Sequence, residues 1–118
     1  MNYKNITKIL LEEFPELLDK YREDDYSEDE SYLVYEILFL EYIRKVFDSN
    51  NEAKKEQIAN FIENALICGD DDVETLICIT IFEGIVSERD VVEKMRRYLK
   101  SNSVKQLLKY EKFTGWVK

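Results

Sequence analysis

A chain of 118 residues is long enough for one domain with a full core and too short for two ordinary ones. Its 45% hydrophobic and 36% charged residues, with one proline and three glycines, disfavour both disorder and a turn-rich all-β fold. The net charge of −8 disfavours a nucleic-acid binder acting through its overall field and suits a basic partner protein.

Ile6, Ile9 and Leu10 follow the spacing of an amphipathic helix, which Phe14-Pro15 should end, because the residue before proline avoids the helical region. Pro15 then suits the first position of a short second helix with Leu17, Leu18 and Tyr21 on its apolar side. Ser27-Glu28-Asp29-Glu30 has the form of a capping box, and a long helix is expected behind it, through Phe47. Its apolar residues, among them Tyr32, Leu33, Val34, Ile37, Leu38, Phe39 and Ile43, cover well over half the circumference. That predicts a central helix touched from several sides.

Asn50 or Asn51 can cap the next helix, which carries Ile58, Phe61, Ile62, Ala65 and Leu66 up to Cys68. Gly69 suits a helix end, and one of Asp70, Asp71 and Asp72 should cap the following run, Val73 to Val86, which is apolar nearly all round. A tight helical hairpin is the natural reading of this pair. Ser87-Glu88-Arg89-Asp90 signals another helix start, and Ser103-x-x-Gln106 a cap for the last helix, with Trp116 expected as a core plug behind it. The expected fold is therefore all-α, a single-domain bundle or short stack of five to seven antiparallel helices spanning residues 1–118.

With no histidine, the usual Ser/His/Asp and Cys/His nucleophilic sites are excluded, and the three isolated glycines make no phosphate loop. Cys68 and Cys78 lie in apolar runs without a Cys-x-x-Cys spacing and read as buried reduced thiols. The longest apolar helix is interrupted by Glu36, Glu41, Arg44 and Lys45, so no membrane span is expected, and a cytoplasmic location follows. Neither metal nor cofactor is expected. Glu63 and Glu83, single acids in apolar helices, read first as polar stripes and second as ligands of a metal-dependent nucleotide hydrolase together with Asp70 to Asp72.

The charge is uneven: residues 1–50 carry −7, residues 51–86 carry −6 and residues 87–118 carry +5. The run Glu23-Asp24-Asp25-Tyr26-Ser27-Glu28-Asp29-Glu30 holds six acids in eight positions. It is either a solvated loop or a surface for a basic site, where charge steers association and an aromatic ring anchors it. The basic, aromatic tail around Lys105, Lys109, Lys112 and Trp116 could track single-stranded nucleic acid, yet it reads better as a terminal amphipathic helix plugged by Trp116, and the basic segment could equally neutralise the acidic half.

The stretch FIENALICGDDDVETLICITIFEGI, with EEFPELLDKY upstream, resembles a family of small bacterial helical proteins with an acid-rich inter-helix turn, over about residues 10–86. In size, acidity and lack of catalytic groups the chain is also similar to the helical immunity proteins of contact-dependent inhibition systems. That likeness implies a non-enzymatic inhibitor of a basic toxin nuclease, a ribonuclease, with no direct nucleic-acid contact. Asp24, Asp25, Tyr26, Glu28 and Asp29 are the expected binding residues, and Asp70, Asp71 and Asp72 the second patch. The alternatives are the hydrolase above and a regulatory adaptor that binds another protein through an apolar groove.

Overall fold

A computed structural model describes residues 1–27 and 29–116. Among these the chain is all-helical, with seven helices and no strand. Helix α1, Ile6–Glu13, ends where Phe14 leaves the helical region (φ −125°, ψ 72°) ahead of Pro15. Pro15–Leu17 makes one 3₁₀ turn, and α2 follows as Leu18–Glu23.

Helix α3 is one rod over residues 31–47, built from Ser31–Leu33, a π-helical segment Val34–Phe39, and Leu40–Phe47. It is the central helix. Its Tyr35 hydroxyl, wholly buried, donates to the Ile6 carbonyl oxygen at 2.9 Å, and the Ser31 hydroxyl meets that of Thr7 at 2.7 Å. These two bonds satisfy the polar groups that packing α1 against α3 removes from water. Phe39 meets Phe14 and Phe61 at centroid distances of 5.7 Å, so three helical segments share one aromatic cluster. Each buried ring contributes about 2–3 kcal/mol by area alone.

Asn51 caps α4, Glu52–Cys68, accepting the Lys54 N–H at 3.0 Å. Helix α5, residues 71–83, consists of Asp71–Ile77 and a second π-helical segment, Cys78–Glu83. Between them Gly69 is extended (φ −77°, ψ 153°), not left-handed as a C-terminal glycine commonly is. Glycine is required there for room, since a Cβ would stand 2.4 Å from Val73 Cγ1 and 2.5 Å from the Ala65 carbonyl oxygen.

The up-down-up path of α3, α4 and α5 sets α3 and α5 side by side in the same direction. Three rungs fix the register: Tyr32 reaches the start of α5 through Tyr3, Leu40 lies against Gly84, and Arg44 forks onto Glu88 at 2.9 and 2.8 Å. Helices α6, Arg89–Arg96, and α7, Ser101–Phe113, close the other side. One contiguous core runs from Ile6 to Leu107, and the Cα radius of gyration, 13.5 Å, fits a single folded body of this length. Among the described residues no helix is long and apolar enough to cross a membrane.

Four local expectations are corrected. Cys68 is exposed, because it falls on the outer side of the last turn of α4; only Cys78 is buried. Trp116 is half exposed and lies over the Arg89 guanidinium at 5.0 Å instead of plugging the core. Ser103 stands inside α7 rather than capping it. The Ser87 to Asp90 start has no side-chain cap, since the Glu88 carboxylate is turned to Arg44.

Candidate partner-binding surface

The dense acidic run begins where α2 stops. The Asp24 backbone N–H still bonds to the Lys20 carbonyl at 3.0 Å, and Asp25 then turns the chain with a left-handed backbone, φ 56°, a conformation that Asp tolerates better than most residues. Tyr26 folds back so that its ring stacks on Tyr21, with centroids 5.8 Å apart and planes 20° off parallel. Burial first, and the Asp24 charge second, push the Tyr26 hydroxyl pKa up.

Lys20 pairs with Asp24 at 3.2 Å and with Glu23 at 3.8 Å, so part of this acidity is offset within the same helix. The Ser27 N–H and hydroxyl both donate to Glu30 Oε1 at 2.8 Å, and the hydroxyl also lies 2.8 Å from Asp29 Oδ1. These bonds hold the Glu30 carboxyl below its ordinary pKa. The return of Glu30 to the Ser27 N–H is half of the predicted capping box, but α3 starts only at Ser31. Glu28 lies outside the described residues.

The second patch has a different job at its first residue. Asp70 caps α5, accepting the Val73 N–H at 3.0 Å, while Asp71 and Asp72 are exposed in the first turn, where carboxylates suit the positive end of the helix dipole.

The N-terminal residues join the two patches, which nothing in the sequence signalled. The Asp70 N–H donates to the Met1 carbonyl at 3.1 Å, and the Tyr3 hydroxyl donates to the Asp29 carbonyl at 3.4 Å. Asn2, Tyr3, Lys4, Asp70 and Asp72 line a shallow depression of about 500 Å³ beside the second patch. Asp29 and Asp70, 41 positions apart in the chain, are thus tied through their backbones to one short segment.

The two acids left open by the sequence have separate fates. Glu63 is buried and accepts four hydrogen bonds, from the Asn102 N–H at 3.1 Å and side-chain amide at 2.8 Å, and from the Ser103 N–H and hydroxyl at 2.9 Å each. It is the cap of α7, supplied from another helix. Burial alone would raise its pKa, but these bonds outweigh burial and hold the carboxyl below its ordinary value. Glu83 is exposed. Among the described residues no three His, Cys, Asp or Glu side chains are grouped to hold a metal ion.

A second buried acid carried no sequence signal strong enough to be singled out. Glu111 has no accessible surface, and its Oε2 accepts from Arg89 at 2.6 Å and from Arg96 at 2.5 Å. Its Oε1 has no hydrogen-bond partner among the described residues. Ahead of the terminal tail, Lys94 pairs with Asp48 at 3.1 Å and Lys100 with Glu56.

The class so defined is a small, acidic, all-helical domain in which the N-terminal residues join two acidic loops. Residues 7–115 match the family described as Domain of unknown function (DUF7674), and the chain belongs to that family. No curated protein and no solved structure matches it.

Proposed function

We propose that the protein is an immunity-type inhibitor: it binds a basic toxin domain, a ribonuclease, and covers the active site by placing carboxylates where phosphates would lie. No chemistry is asked of it, and it acts in the cytoplasm. The observation that supports this reading is the edge at which Asp29 and Asp70 are tied to the same N-terminal segment, with Asp24, Asp25, Asp71 and Asp72 exposed around it. A convergent field of one sign raises the association rate with a basic surface and weakens as salt screens it.

The reading assigns the steering to Asp24, Asp25, Asp29, Asp71 and Asp72. Tyr26 is an anchor already braced by Tyr21, so little side-chain entropy is lost when a partner covers it. The test is to titrate the purified chain into the protein encoded by the adjacent gene and follow cleavage of RNA. Stoichiometric inhibition is expected. The triple substitution Asp24→Asn, Asp25→Asn and Asp29→Asn should slow association about tenfold at low salt and flatten its salt dependence. A neighbouring product that cleaves RNA undisturbed by the chain would sink the inhibitor reading, and an unchanged on-rate would remove this edge from it.

A further inference from the structure

Not all the charge of the basic third is used in internal ion pairs. Among the described residues its paired cations are Arg89, Lys94, Arg96 and Lys100, all ahead of α7, while Lys105, Lys109 and Lys112 meet no carboxylate within pairing distance. Neither expectation for this tail accounts for them. Trp116 does not plug the core, and these three lysines do not neutralise the acidic half through any ion pair.

Helix α7 is regular from Ser101 to Phe113, so Lys105, Lys109, Lys112 and Phe113 fall within about 100° of its circumference. The buried residues Ser103, Leu107 and Glu111 mark the opposite side. The lysines step along the axis by about 6 and about 4.5 Å. Phe113 ends the row with 87% of its surface exposed, the most of any large apolar residue described. The one acid of α7 is Glu111, wholly buried between its two arginines, so no carboxylate of the helix competes on this face. On the flank where Phe113 stands, Gln106, Lys109 and Tyr110 form a shallow groove of about 170 Å³ with Thr75, Ile79 and Glu74 of α5. Glu74 is exposed there and makes no ion pair with Lys109.

We infer that this face binds a short single strand of nucleic acid, with phosphates along Lys105, Lys109 and Lys112 and a base stacked on Phe113. A row of cations ending in an exposed ring suits such a strand, since the phosphates supply attraction and every base has a face to stack. An acidic peptide would use the lysines and leave the ring without a partner. A membrane-surface helix needs a free apolar side, and that of α7 is turned into the core at Leu107. A bilayer would also extend over the acidic remainder of the chain. A strand of a few nucleotides covers this face alone, and charges more than about 8 Å away are largely screened from it at physiological salt. Local binding of this kind is compatible with a net charge of −8. It departs from the immunity likeness, which implies no nucleic-acid contact, and it does not rest on that reading.

The probe is a fluorescein-labelled oligouridylate of about 10 nucleotides, titrated with the intact chain at low salt and followed by anisotropy. Contact with three phosphates gives an expected slope of about −2 in log K against log salt. Lys105→Gln with Lys109→Gln and Lys112→Gln should lower affinity at least about tenfold and flatten that slope. Phe113→Ala should lower affinity about tenfold and keep the slope. All four positions are exposed, and thermal unfolding of each variant checks that the fold is retained. Lys4→Gln with Lys8→Gln, exposed lysines outside this face, should leave affinity nearly unchanged. No binding of the oligonucleotide at low salt, affinity indifferent to Phe113→Ala, or equal competition by polyglutamate of the same charge would overturn the proposal. So would binding to phosphatidylserine vesicles that Phe113→Ala abolishes, since a membrane would then occupy the face.

Discussion

Ser103 gives both its backbone N–H and its hydroxyl to the carboxylate of Glu63, each at 2.9 Å, across 40 positions of sequence. Helix α7 therefore has no local cap, and its first N–H groups are satisfied by a side chain of α4. One buried carboxylate fixes both the start of the last helix and its docking against the helical hairpin.

Glu63→Ala removes the acceptor from four donors at once and should cost about 2–3 kcal/mol, a lost cap plus the desolvation of buried N–H groups. Glu63→Gln retains one acceptor oxygen and should cost about half as much. The urea midpoint reports the difference, and a midpoint unmoved by Glu63→Ala would show that the cap carries no energetic weight.

The pH dependence of stability follows from the same bonds. The folded pKa of Glu63 is lowered, as is that of Glu111, where burial raises it but the Arg96 and Arg89 bonds prevail. As pH falls, the unfolded chain takes up these protons first. The stabilisation is thus complete above the ordinary carboxylate pKa and is lost as pH drops through the lower folded values. Between about pH 5 and pH 3 the wild type should lose more stability than Glu63→Gln, and parallel curves would contradict this assignment.

Glu111 should be the least replaceable acid in the chain. Glu111→Ala leaves Arg89 and Arg96 facing each other across a cavity without their shared carboxylate, at a cost of about 3 kcal/mol. Arg89→Ala keeps the Arg96 pair and is expected to be milder, but it removes the guanidinium under Trp116, the only tryptophan. Its emission should shift to the red and become more accessible to iodide, while an unchanged spectrum would mean that the stacking does not persist in solution.

What was legible in the sequence was what is local. Asn51 and Asp70 cap helices within three residues of themselves, Pro15 ends α1 at its own peptide bond, and the apolar excess of residues 31–47 marked the central helix. Glu63 and Glu111 were illegible because their partners arrive from other helices, 40 positions away for Ser103 and 15 and 22 for the two arginines. The one available hint was spacing: Ser103, Leu107 and Glu111 recur every four residues on the buried side of α7, where an acid implies a cation opposite. Nor could composition show that Tyr3 ties Asp29 to the Asp70 turn, since that link depends on where the N-terminus lies.

Gly69 separates a steric requirement from a conformational one. Its extended backbone suits any residue, so Gly69→Ala acts only through the Cβ that meets Val73 and the Ala65 carbonyl, and should destabilise by about 1–3 kcal/mol. At Gly115 the situation is reversed, with φ +83° and open space around the Cα. Gly115→Ala should cost about 1 kcal/mol through backbone strain alone. Adding Val73→Ala removes only the Cγ1 contact and leaves the Ala65 carbonyl at 2.5 Å and Val73 Cβ at 2.7 Å, so a part of the Gly69→Ala loss should be recovered, and full additivity of the two would assign the clash to those remaining atoms.

The two cysteines should differ sharply toward a thiol reagent. Cys68 is exposed, while Cys78 is buried, lies 3.5 Å from Gln106 Oε1, and has its pKa pushed up to about 11 by burial and then by the Glu74 charge. At pH 8 only about one thousandth of the Cys78 thiol would be thiolate even where a reagent could reach it. A disulfide reagent should therefore titrate one equivalent quickly in the native protein and the second only at the rate of unfolding, rising with urea. Cys68→Ser should erase the fast phase and leave the slow one. Two fast equivalents in native buffer would show that α5 opens around its π turn far more often than its packing against α3 and α7 implies.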